Sequence, residues 1–328
     1  MVSARSRPVR PMPIVRPCRP RDSAAVADLL RRNPSDEFPL LGLNPDQVEG
    51  IFRRLQQWNI RLVLGIAAAL RRPLVQIWVI ADGDRILGVA MVSFSPDVAQ
   101  VGGLTIDASA RRRGYAQELM NACARSARRF HRSFLVLDVL ATNAPAFHLY
   151  QKLGYRTIRD VRWMARDLTQ PPLGPPPAPL TGLRPFRPAD GPVLADLANA
   201  AMPPSVRPIV RLRPQDFRTA GLSRRAGRVE AASWVLEREH RIVGYAKAFV
   251  SPAVEAAQIG PLVAARTLTA EECEGLVRTT LLWCSERQAP RAVLALPDHM
   301  DGLRPTLEQL GFTESFRLHT MALDGKAP

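Results

Sequence analysis

The stretch LTIDASARRRGYAQELM, Leu104 to Met120, holds residues suited to gripping an anion. Leu104, Thr105 and Ile106 read as the end of a buried strand. The chain then bends into a helix whose first turn carries Arg111, Arg112, Arg113, Gly114, Tyr115 and Ala116. A helix start offers unpartnered backbone N–H groups at the positive end of the helix dipole, so a phosphate placed there meets donors already aimed at it. Gly114 and Ala116 keep side chains clear and let backbone approach the anion. A plainer reading is an arginine-rich helix start in an arginine-rich chain. The second stretch, LDVLATNAPAFHLYQKLGY from Leu137 to Tyr155, brings a carboxylate, an amide and a phenol together. Asp138 interrupts the apolar run FLVLDVL, where a carboxylate suits proton acceptance, although strand alternation also allows it to point away from any site. Asn143 caps the next helix, and Tyr150, two turns further on, shares its face.

The elements that must hold these residues follow from patterning. A basic tail, residues 1 to 13, is expected to be disordered. A short strand follows from Ile14, then a helix capped by Asp22 or Ser23 and running to about Arg32. An irregular stretch from Asn33 to Leu43 leads to a second helix opened by Asn44 and Pro45 and reaching about Leu70. VQIWVIA, the turn Asp82-Gly83-Asp84 and RILGVAMVSF form a hairpin. A third extended run, Ala99 to Ile106, enters the anion-gripping helix, which ends near Phe130. Phe134 to Leu140 is a buried strand. A further helix ends at Gly154, and extended residues run from Tyr155 to Leu168.

Residues 170 to 182, QPPLGPPPAPLTG, are a stiff polyproline-like linker. Beyond it the pattern restarts. Arg16-Pro17, Arg19-Pro20, Asp22 and Asp28-Leu29 recur as Arg184-Pro185, Arg187-Pro188, Asp190 and Asp196-Leu197. Trp78, Arg85, Gly88 and Ala90 recur as Trp234, Arg241, Gly244 and Ala246, and Leu153-Gly154 recurs as Leu310-Gly311. Three matched blocks in one order indicate duplication. The second copy, residues 183–325, follows its extended run from Gln258 to Ala264 with a helix carrying Glu271, Glu272 and Glu274, carboxylates that would repel a phosphate from that place.

The Arg-x-x-Gly-x-Ala motif after a strand resembles the pyrophosphate-binding signature of the GNAT superfamily of acyl-CoA-dependent N-acyltransferases. The order strand, two helices, three antiparallel strands, helix, strand, helix, strand is similar to that of GNAT domains and covers residues 14–169. The resemblance implies an α/β (α+β) protein of two tandem GNAT-type domains, each a mixed, mostly antiparallel sheet flanked by helices, the first catalytic and the second degenerate. It implies acetyl-CoA as cosubstrate, with the backbone of Leu104, Thr105 and Ile106 serving the acyl oxygen and Asn143 bonding the pantetheine arm. By the same resemblance Tyr150 is the general acid for the coenzyme A thiolate. Asp138, twelve residues before it, stands where ribosomal-protein N-terminal acetyltransferases place an acid considered their base, though here it is the shorter Asp. Asp97 and Asp107, flanking the strand that contains only Gln100, are weaker alternatives for the base.

Composition bounds the remaining possibilities. The 328 residues suffice for two domains, and 46% hydrophobic with 23% charged residues describes a globular chain. The net charge is +15, and of 45 basic residues only Lys152, Lys247 and Lys326 are lysines, a bias that favours polyanions nonspecifically. With 6% aromatic residues and no nucleic-acid motif, a specific nucleic-acid partner is not expected. Cys18, Cys123, Cys273 and Cys284 form no Cys-x-x-Cys pair, and the histidines show no ligand spacing, so no metal site is expected. Reduced thiols, no signal peptide and no apolar run of about 18 residues fit a cytoplasmic protein with no membrane partner. The expected partner is an amine-bearing acceptor, either a small molecule or a protein N-terminus. The oligomeric state is open, a monomer being reasonable because tandem domains can mimic a dimer. The competing reading is a noncatalytic tandem module that binds coenzyme A or a polyanionic partner.

Overall fold

The structure is a computed structural model that describes residues 13–33, 50, 74–169, 180–218, 229–251 and 256–325. The tail, the helix expected from Asn44 to Leu70 and most of the proline-rich linker lie outside the described residues. In the first half, β1 (Ile14–Pro17) is followed by α1 (Ser23–Arg32), β2 (Val75–Asp82), β3 (Arg85–Phe94) and β4 (Val98–Ile106). Then come α2 (Tyr115–Arg129), β5 (Phe134–Leu140), α3 (Ala144–Lys152) and β6 (Arg156–Asp167). The second half contains β7 (Leu183–Pro185), α4 (Gly191–Ala201), β8 (Glu230–Arg238) and β9 (Arg241–Val250). The expected run from Gln258 to Ala264 forms two short strands, β10 (Ala257–Ile259) and β11 (Val263–Ala264), parted by Gly260-Pro261-Leu262. The chain closes with α5 (Ala270–Glu286), β12 (Arg291–Pro297), α6 (Arg304–Gln309) and β13 (Thr313–Asp324).

All strands join one mixed, mostly antiparallel sheet in the order β1-β2-β3-β4-β5-β13-β6-β12-β10-β9-β8-β7, with β11 on β9. Among the described residues only β4 with β5 and β10 with β12 are parallel. The two halves meet by crossing their last strands. β5 pairs with β13 rather than with β6, and β12 pairs with β6 rather than with β13. β6 and β13 then pair with each other at the centre.

Each half buries apolar side chains on both sheet faces. In the first half, Val26, Leu29 and Leu30 of α1 pack on Val79 and Val89, while Leu119, Met120 and Cys123 of α2 pack on Leu135, Leu137 and Val139. The second half repeats this with Leu194 and Ala195 of α4 against Val235 and Tyr245, and with Val277 and Leu281 of α5 against Leu294 and Leu296.

The repeated residues are the parts that assemble this frame. Arg16 grips Asp22 through two bonds of 2.6 and 2.9 Å, and Arg184 grips Asp190 through two of 2.9 Å. Each carboxylate also accepts a backbone N–H, from Arg19 and Arg187 respectively, so the edge strand and the helix entry are clamped together. Gly88 and Gly244 lie where a helix presses on the sheet. A Cβ on Gly88 would come within 2.6 Å of Ile106 and 3.3 Å of Leu119, and one on Gly244 within 3.2 Å of Leu276.

Candidate active site

β4 and β5 run as parallel partners from Val98–Phe134 only as far as Val101–Leu137, although β4 continues to Ile106 and β5 to Leu140. The sheet therefore opens from Gly102 onward. A register shift between β3 and β4 in the same region helps turn β4 away, and Gly103 there adopts φ +65°. A strand edge freed inside a sheet needs hydrogen-bond partners, so the opening is a place for an extended polar ligand to lie. A cavity of about 560 Å³ occupies it, within the size range of small-molecule sites.

Leu104, Thr105, Ile106, Arg111 and Ala116 line the cavity from the β4–α2 side, and Asp138, Asn143 and Tyr150 line it from the β5–α3 side. Gly114 is the N-cap of α2 at φ +82°, and a Cβ added there would meet nothing within 4 Å, so the helix start is open. Tyr115 begins the helix and packs against the core, while Arg112, in the left-handed region at φ 60°, and Arg113 are exposed beside the opening without lining it. Asn143 Oδ1 accepts from the Ala146 N–H at 3.2 Å as a cap, and its Nδ2 makes no hydrogen bond among the described residues. Tyr150 is buried, its ring 5.9 Å from that of Tyr155.

Asp138 does not face outward. Its Oδ1 accepts from the Thr320 hydroxyl at 2.7 Å and its Oδ2 weakly from Gln100 at 3.4 Å. Thr320, only 2% exposed, lies on β13, directly opposite Asp138 in the strand register. The same hydroxyl accepts from Arg159 Nε at 3.4 Å. Thr320 and Arg159 escape sequence reasoning because only the crossed strands bring them to Asp138.

Other candidates lie apart from the cavity. Asp107 is 2% exposed and tied to Ser109, Arg32 and Arg85; these partners, the Ser109 hydroxyl first, hold its carboxyl down at about 2, so it is a fixed anion. Asp97 is exposed and pairs with Arg213 at 3.3 Å. Burial pushes the Cys123 thiol up to about 12, so it is no nucleophile at neutral pH. Burial likewise raises the Tyr155 phenol, whose hydroxyl has no hydrogen-bond partner among the described residues.

The second half is built differently at each of these points. The shift of 157 that carries Leu153-Gly154 onto Leu310-Gly311 carries Asp138, Asn143 and Tyr150 onto Ala295, Met300 and Leu307. Strand pairing agrees, since Ala295 faces Trp163 as Asp138 faces Thr320. The start of α5 is closed by its own side chains. Thr269 Oγ1 accepts from the Glu272 N–H at 3.2 Å, and Glu272 Oε2 accepts from the Thr269 N–H at 2.9 Å.

In the first half, a helix start without a side-chain cap, a parted strand edge, a carboxylate and a phenol lie around one opening. Those parts suit a thioester carried on a long phosphorylated arm. Among the described residues no group of three or more His, Cys, Asp or Glu is placed to hold a metal, and no helix is long and apolar enough to cross a membrane.

Comparison with known proteins agrees with this geometry. Residues 31–155 match the acetyltransferase (GNAT) family model, and residues 215–328 match a second acetyltransferase (GNAT) domain model. No curated protein sequence matches the chain. Among solved structures, a tandem GNAT protein from the clavulanic acid biosynthesis pathway superposes with a TM-score of 0.65 at 15% identity, covering 96% of this chain and 99% of that one. A GCN5-related N-acetyltransferase from Sphaerobacter thermophilus gives 0.66 at 17% identity, covering 96% of each chain. A putative acetyltransferase from Pyrococcus horikoshii gives 0.58 at 15% identity, over 98% of this chain and 93% of that one. With a GNAT family model matched in each half and 96% of the chain superposed on a tandem member, the chain belongs to the GNAT acetyltransferases as a tandem GNAT protein.

Proposed function

We propose that the first half transfers an acetyl group from acetyl-CoA to a primary amine, and that its working unit is residues 14–169 completed by β13. The observation that carries this is the opening between β4 and β5, with an uncapped helix start on one bank and Asp138, Asn143 and Tyr150 on the other. Acetyl-CoA supplies an activated acyl group. Gly114 and the α2 N–H groups hold its pyrophosphate, and the Asn143 amide holds its arm. The N–H groups of Leu104 and Ile106, which alternate with the β3-paired Thr105, bear on the acyl oxygen as negative charge develops there.

Asp138 takes the proton that the amine loses, and Thr320 fixes the carboxylate by donating to one oxygen. Tyr150 gives a proton to the departing sulfur. An α-amine of pKa about 7.8 costs only about 1 kcal/mol to deprotonate at pH 7, against about 4.6 kcal/mol for a lysine-type amine near 10.4. Positioning therefore outweighs the base for an N-terminal or similar acceptor.

The test is coenzyme A release, followed with a thiol reagent, from acetyl-CoA mixed with pooled small amines and with pooled N-terminal peptides. Amine-dependent release that falls in Tyr150→Phe is the expected result. Tight acetyl-CoA binding with no release beyond hydrolysis in either pool would leave the noncatalytic module as the answer.

A further inference from the structure

The second half has a cavity of its own beside β12, the strand that corresponds to β5, but with different walls. Its volume is about 320 Å³, and it lies against β10, β11 and β12. Trp163, Met202, Leu212, Phe249, Leu262 and Met300 give it apolar walls. The residues at the positions of Asp138 and Asn143 are Ala295 and Met300, so the carboxylate and amide that could support a reaction are absent from this wall.

Three polar side chains also line it, Arg159, Gln258 and His299, of which Arg159 and His299 carry nitrogens without partners among the described residues. Arg159 is half-buried and forms no ion pair among the described residues; its one hydrogen bond runs from Nε to Thr320 at 3.4 Å. The two terminal nitrogens of its guanidinium are left without a partner there. Burial pulls the Arg159 pKa down, the mark of a cation short of compensation, with Asp138 and Asp298 offsetting part of that cost. His299 has a side chain only 9% exposed, and its Nδ1 is buried with no hydrogen-bond partner; Asp298 Oδ1, at 3.8 Å, is too distant to serve. A buried unsatisfied nitrogen such as His299 Nδ1 is uncommon and calls for an explanation, which a ligand seated between it and the unpartnered end of the Arg159 guanidinium would supply.

From these features we infer that the second half, completed by β6, holds a binding site for a small apolar carboxylate, its hydrocarbon body against Trp163 and Phe249 and its carboxylate between Arg159 and His299. Arginine offers donors only, so the polar end of the ligand must accept; a planar carboxylate can take two parallel N–H bonds from the guanidinium. An amine would meet a like charge, and an alcohol would make a single neutral bond. The inference does not depend on acetyl transfer in the first half, because neither the cavity nor its polar groups involve that reaction.

Isothermal titration of the full chain with 3-phenylpropanoate and with octanoate tests this, using 3-phenylpropanol and 3-phenylpropylamine as controls. The acids should bind at least tenfold tighter than the alcohol, and the amine should not bind measurably. Arg159→Met, which keeps the length of the side chain, should erase the preference for acid over alcohol. Ala295→Phe should fill the cavity and abolish binding of both. If Arg159→Met fails to melt cooperatively, His299→Leu replaces it and should reduce the acid preference. Excess coenzyme A should leave the affinity for 3-phenylpropanoate unchanged. Failure of both acids to bind, equal binding of acid and alcohol, an acid preference that survives these variants, or displacement by coenzyme A would each overturn the assignment.

Discussion

Replacing Gly114 separates the anion socket from the backbone that forms it. Gly114 sits at φ +82°, so any L side chain there strains the helix entry by about 1–2 kcal/mol. A Cβ meets nothing within 4 Å, so Gly114→Ala carries that strain with no clash and no change of charge. Gly114→Glu carries the same strain and adds a carboxylate beside the α2 N-terminus. A negative charge ~6 Å from a phosphate, at an effective dielectric of about 20, costs about 3 kcal/mol. Screening at this exposed position reduces the cost to roughly 1.4–2.7 kcal/mol, or about a 10- to 100-fold loss of acetyl-CoA affinity at low salt. Calorimetric titration in buffers of about 20 and about 300 mM salt reads both effects. Alanine should lower Tm while keeping most of the affinity. Glutamate should lower Tm by a similar amount and weaken binding strongly, less so at high salt. Equal, salt-independent losses for the two variants would mean that no anion binds at this helix start.

Tyr150→Phe removes the proposed acid and should cut kcat by about 10²- to 10⁴-fold while the acetyl-CoA Kd stays within a factor of about two; a parallel fall in Tm would instead mark a packing residue. Thr320→Val deletes the 2.7 Å bond to Asp138 and should destabilise the fold by about 0.5–1.5 kcal/mol in denaturant titration, because a half-buried carboxylate oxygen loses its donor. The same variant should lower kcat with KM for acetyl-CoA unchanged, and an undiminished kcat would count against Asp138 as the base. Asp107→Asn should lower Tm at neutral pH. Because the folded carboxyl titrates near 2, below its unfolded value of about 3.9, its contribution is full above about pH 5 and fades as the pH falls towards 2. The difference in Tm between wild type and variant should therefore shrink over that range, and a constant difference would contradict the ion-pair account.

The frame was legible because it rests on local patterns. Asn143 announced itself as a cap, Gly114 as a helix entry, and the paired Arg16–Asp22 and Arg184–Asp190 as a repeated unit, since each depends on residues within a few positions of one another. The opening between β4 and β5 was not legible in itself: the strands are separated by a helix, and where their pairing stops is set by packing. Nor could the sequence say that β6 and β13 would trade neighbours. Both strands follow a Leu-Gly pair and an identical topological position, so either could have closed either sheet. That ambiguity hid Thr320, which is 182 residues from Asp138 in the chain.

The crossing of the last strands also gives a physical reason for a second half without the first half's reactive groups. If each half closed its own sheet, loss of the second site would leave a removable appendage. Here β13 lies between β5 and β6, and its Thr320 gives Asp138 the shorter of its two side-chain hydrogen bonds. Deleting the second half would expose the free edge of β5 and strip the donor from the proposed base in one step. Selection on the first site therefore bears on β13 and on the frame that holds it. It bears much less on the wall where Ala295, Met300 and Leu307 stand in place of Asp138, Asn143 and Tyr150. The clamp between Arg184 and Asp190 survives, and the helix start at Thr269 has closed on itself. That pattern is expected when the second copy is kept for what it contributes across the crossed strands and for the pocket it still encloses.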